Sequence, residues 1–86
     1  MVLVTTENRG VYAGRLVEND APRRVILEDA RVCVSWDTGH RGFLVLAVEG
    51  PAGVAEVSPA VGRIEIYGVC TVAECTEEAA EAWREA

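Results

Sequence analysis

The chain reads as a mainly β protein, a small five-stranded barrel carrying a short C-terminal α-helix. Two observations predict this: short apolar runs rich in β-branched residues are bounded by Gly, Pro, Asn or Asp, and a helical period appears only after Thr76. With 86 residues the chain makes one domain. A domain of that size buries only about 60–65% of its unfolded surface, so self-association would add to a small core. The expected organisation is a barrel over residues 1–75 with a helix over 76–86 packed on the same domain.

The first strand is "VLVTT" (2–6), stopped by "ENRG". The second, "VYAGRLVE" (11–18), runs into "NDAPR", whose Asn, Asp and Pro favour a tight turn. The third, "RVILEDARVCVSW" (24–36), is long and ends at the glycine-bounded turn "DTGHRG"; the fourth is "FLVLAVE" (43–49). In "GPAGVAEVSPAVG" (50–62), two prolines and three glycines break any continuous strand and leave room for one helical turn. The fifth strand is "RIEIYGVCTVAE" (63–74). In "TEEAAEAWREA", Thr76 is an N-cap and Glu77 and Glu78 sit at the positive helix end. Ala79, Ala80 and Trp83 then form a narrow apolar stripe that can dock on the sheet.

Half of the residues are apolar and 26% are charged, the composition of a folded protein. No apolar run approaches the ~20 residues of a membrane span. The opening "MVLVTTENRG" reads as a strand instead of a signal peptide, so the expected location is the cytoplasm. Three cysteines (Cys33, Cys70, Cys75) in an unsecreted chain favour reduced thiols. Together with His40 they match no common zinc spacing and read as small core residues, and no cofactor is expected.

The net charge is −6, and five of the acids fall from Glu74 onward against Arg84 alone. Such a protein is a poor candidate for non-specific nucleic-acid binding, which needs a positive surface. Every basic residue is arginine, a flat forked donor suited to phosphate and carboxylate. Catalysis finds little support, because His40 is the sole histidine and no triad or phosphate-loop pattern is present. Binding of an anionic small molecule fits better: Arg15, Arg23, Arg24, Arg31, Arg41 and Arg63 are candidate donors and Tyr12, Trp36 and Tyr67 candidate ring planes. Of these Arg23, Arg24, Arg31, Arg41, Tyr12 and Trp36, with His40, are the expected ligand-binding set. On an ideal strand Arg31, Cys33 and Ser35 share one face and Val32, Val34 and Trp36 the other. With the valine face taken as core, Arg31 points outward, where a neighbouring subunit's His40 and Arg41 can complete an anion site.

The strand count and the long bent strand suggest an SH3-like barrel. Gly10, Gly14, Leu16 and Asp20 fall at the spacing of the first motif of Sm-like proteins, which the segment resembles over about a third of the chain. That resemblance implies a small barrel and ring assembly through edge strands. It does not extend to uridine-rich RNA binding: the motif's Met-Asn positions hold Arg23 and Arg24, and its apolar-Arg-Gly is Ile66-Tyr67-Gly68.

Through "GVYAGRL", "VILEDARVCVSW" and "GVCTVAECT" the chain also resembles a group of small phage-encoded proteins of uncharacterised function. That resemblance implies a partner in the infected host's cytoplasm. The class it brings forward is the homo-oligomeric sponge that sequesters a bacterial immune nucleotide, a cyclic oligonucleotide or cyclic ADP-ribose isomer. The alternative is a protein-interaction module that uses a barrel edge and the acidic helix.

Overall fold

The computed structural model describes residues 1–8, 10–35, 42–51 and 55–86. The first three strands form as the alternation requires: β1 (Val2–Thr6), β2 (Val11–Asp20) and β3 (Arg24–Ser35). They are followed by a single-turn helix α1 (Val45–Val48), the two-residue strand β4 (Glu56–Val57), β5 (Val61–Tyr67), β6 (Val69–Glu74) and helix α2 (Glu77–Glu85). All pairings are antiparallel, in the order β4-β3-β2-β1-β6 with β5 also on β3, and the sheet is not closed.

The strand count differs from the expected five for three local reasons. "FLVLAVE" is not a strand: Leu46 and Ala47 within it are buried against α2, and the Leu46 carbonyl accepts the Trp83 indole N–H at 2.9 Å. The segment 50–62 contributes β4, whose Val57 pairs with Cys33. The predicted fifth strand divides at Gly68, where φ is +67°, a conformation glycine adopts without strain. Its first half pairs with β3 and its second with β1. Helix α2 follows expectation: the Thr76 hydroxyl accepts from the Ala79 N–H at 3.1 Å, and Ala79, Ala80 and Trp83 are its buried residues.

Two apolar clusters lie on opposite faces of β1. Leu3 packs with Val11, Ala13, Cys33, Leu46, Ala79 and Trp83 under the helices. Val2 and Val4 pack with Val25, Leu27, Ile66 and Val69 between the sheet's folded halves. Strand β1 is therefore buried on both faces, which is why "VLV" is a continuous apolar run.

Opposite Gly14, β3 carries one extra residue: Ala13 pairs with Arg31, but Arg15 pairs with Glu28. Asp29 takes the left-handed conformation there, with φ 51°. A Cβ on Gly14 would lie 3.0 Å from the Ala30 Cα, the Ala30 Cβ and the Glu28 carbonyl, so glycine lets the bulge close onto β2. The bulge also resets the facing of β3. Leu27 and Ala30, three residues apart, share one cluster, while Cys33 belongs to the other.

Candidate functional site

The reset facing decides where Arg31 lies. Arg31 and Cys33 share a face as expected, but that face is the buried one at this end of β3: Cys33 is 4% exposed and Val34 is 64% exposed. The expectation of a valine core with Arg31 outward is thus corrected. Arg31 is half-buried at the rim of the helix-side cluster.

There it lines a groove of about 520 Å³ together with Arg15 from β2, Asp29 from the bulge, Arg84 from α2, Ala13 and Trp83. Ala13 and Trp83 are both buried and give the groove apolar walls; the charged groups stand around them. The volume lies within the roughly 300–1,000 Å³ of small-molecule sites. Three guanidinium groups and the carboxylate of Asp29 line the groove, in a chain of net charge −6.

What each arginine already holds separates donors with spare capacity from donors that are spent. Among the described residues Arg31 pairs with no Asp or Glu side chain; its Nη1 donates to the terminal oxygen of Ala86 and, at 3.5 Å, to the Ser58 carbonyl. Arg84 is exposed and has no ion pair among the described residues. Arg15 is paired with Glu28 and stands 3.9 Å from Asp29.

The other predicted residues are dispersed. Arg23 bonds Asp20 at 2.6 Å beside the β2–β3 turn. Arg24 bonds Glu18 at 2.5 Å and Glu65 at 3.2 Å, and Arg63 lies 3.9 Å from Glu65. The hydrogen bond to Glu18, then its charge and that of Glu65, raises the Arg24 pKa further. This balanced lattice on the outer sheet leaves little for a ligand, so Arg23 and Arg24 do not join Arg31. Tyr12 lines a separate hollow of about 110 Å³ with Ala30, Val32, Ser58, Val61 and Ile64, and Arg31 borders it too. Trp36, His40 and Arg41 lie outside the described residues.

Sequence reasoning missed Asp29 and Arg84 as site residues. The adjacency of Arg84 to the docking Trp83 was a usable signal, because a helix that buries Trp83 holds Arg84 at the rim of the same contact. Nothing in "EDA" alone announces a bulge.

The thiols of Cys33 and Cys75 do not resemble activated nucleophiles, and Cys70, expected in the core, is exposed. Burial pushes Cys33 and Cys75 above the usual thiol range, which disfavours the reactive thiolate. Among the described residues no three His, Cys, Asp or Glu side chains gather as a metal site, and no helix is long and apolar enough to cross a membrane.

A family model described as a domain of unknown function (DUF6948) matches residues 1–83. No curated protein and no solved structure matches the chain.

Proposed function

The chain belongs to the DUF6948 family, and from that starting point we propose that it is a non-enzymatic protein that binds a small phosphorylated ligand in the Arg15–Arg31–Arg84 groove. One observation carries the reading: Arg31 and Arg84 line the same groove and neither pairs with an Asp or Glu side chain among the described residues, whereas Arg23, Arg24 and Arg63 each do. Forked donors beside an apolar wall suit a phosphate ester with an organic body.

The resemblance of the sequence to small phage-encoded proteins is what suggests the finer reading: a homo-oligomeric sponge in an infected host's cytoplasm, with an immune nucleotide as ligand. The groove is open to one side in this reading, and a second subunit covers it, with His40 and Arg41 as its contribution. The sheet is then an open version of the small SH3-like barrel: β6, at one end of the order, and β5, paired to β3, are consecutive in sequence and joined at Gly68. Assembly of copies would cover their unpaired edges.

Native mass spectrometry of the protein purified from its host, with identification of any small molecule released on denaturation, tests this. An oligomer releasing a nucleotide supports it. A monomer that releases nothing and gives no binding heat with cyclic dinucleotides or ADP-ribose derivatives refutes it.

A second reading, a protein-interaction module, draws on the exposed Glu77, Glu78, Glu81 and Glu85 of α2. It predicts a stoichiometric partner whose binding survives Arg31→Ala.

A further inference from the structure

Asp29 is the one groove residue that works against an anion. Its carboxylate stands among guanidinium groups, yet its only ionic neighbour among the described residues is Arg15 at 3.9 Å, beyond hydrogen-bond distance. Its side chain is 77% exposed, and no hydrogen bond to it is formed by a described residue. The backbone at φ 51° is one that glycine takes without strain, so the bulge itself does not need a carboxylate. Bulges and left-handed non-glycine residues concentrate beside binding sites because they aim a side chain.

We propose that Asp29 selects the ligand's hydroxyl groups: the groove takes a ribose phosphate whose phosphate meets Arg31 and Arg84 and whose free ribose hydroxyls donate to the Asp29 carboxylate. This deepens the anion-site reading and rests on it. A bare phosphate gains the arginines but meets the repulsion of Asp29. A ribose phosphate satisfies both, because an ionised carboxylate only accepts hydrogen bonds and a sugar hydroxyl donates them. A site built to bond a hydroxyl also discriminates strongly against the analogue that lacks it, since its own polar group is left unpaired.

Calorimetric titration of AMP, 2′-deoxy-AMP and inorganic pyrophosphate into the wild-type chain and Asp29→Asn tests the assignment. Asparagine tolerates the left-handed backbone and keeps the shape without the charge. The wild type is expected to bind AMP at least about tenfold tighter than 2′-deoxy-AMP. Asp29→Asn should bind the two alike and bind pyrophosphate a few-fold tighter than the wild type does. Asp29→Gly, which keeps the bulge, should behave like Asp29→Asn and so separates the carboxylate from the fold.

If pyrophosphate binds but the wild type does not distinguish the two nucleotides, or if Asp29→Asn still distinguishes them, the role of Asp29 is overturned and the anion site stands. If neither pyrophosphate nor a nucleotide binds, the anion site falls and this inference falls with it.

Discussion

At residue 29 the backbone takes a left-handed conformation that glycine adopts freely and that, among side chains, Asp and Asn tolerate best; the chain places an aspartate there. The left-handed region costs a non-glycine residue about 1–2 kcal/mol, so Asp29→Gly is expected to stabilise the fold by about 1 kcal/mol, read as a higher urea midpoint. Stability gained together with lost ligand discrimination is the trade expected where strain serves a site. Gly14 across the bulge has the opposite sign. A methyl group there meets backbone at 3.0 Å, so Gly14→Ala should destabilise by about 1–3 kcal/mol in the same assay.

Cys33 adds a pH dependence at this scale. Burial raises its folded-state pKa above the ordinary 9.0, so the folded state holds the proton more tightly than the unfolded one. Its contribution is complete below pH 9 and is lost as pH rises through the folded value. Thermal midpoints should therefore fall above pH 9, and less steeply in Cys33→Ala. Residue type singled out both Arg31 and Tyr12, but the groove takes Arg31 and leaves Tyr12 in a separate hollow. Which face of β3 is buried at Arg31 was not legible, because the extra residue in β3 between Glu28 and Arg31 swaps the faces relative to Val25 and Leu27.

Among the elements, α2 was the most legible. Its cap, its acidic first turn and its Ala-Ala-Trp stripe are all encoded locally, and the structure uses each. Thr76 does more than cap. Its hydroxyl also donates to the Val48 carbonyl at 2.6 Å, tying α2 to the end of α1. Thr76→Ala is expected to cost about 1–2 kcal/mol, measured by thermal unfolding, with Thr76→Ser recovering most of it.

The run "FLVLAVE" was not legible, since a short apolar segment has the same composition whether it is a buried strand or a buried turn of helix. What decides it is tertiary: Trp83, 37 residues away, takes the Leu46 carbonyl as its indole partner. Likewise "RIEIYGVCTVAE" looks like one strand until Gly68 is seen as the corner that lets its halves pair with different neighbours.

For the whole molecule, most of the arginines are matched one by one with acids. Those of the outer sheet pair with Asp20, Glu18 and Glu65, Arg15 in the groove pairs with Glu28, and four further glutamates lie along α2 on the same helix as Arg84. Arg31 and Arg84 line one groove without an Asp or Glu partner among the described residues. Composition showed that arginine was the only basic residue; which arginines are spent depends on cross-strand register, which no single sequence displays.

The most direct test of the central claim is calorimetric titration of pyrophosphate at low salt into the wild type, Arg31→Ala, Arg84→Ala and Arg63→Ala. A charge-assisted hydrogen bond contributes about 1.5–3 kcal/mol, so Arg31→Ala and Arg84→Ala should each weaken binding by at least about tenfold. Arg63→Ala, on the outer lattice, should leave it within about twofold. Equal affinities across all four proteins, or no binding of either pyrophosphate or AMP to the wild type, would contradict the account.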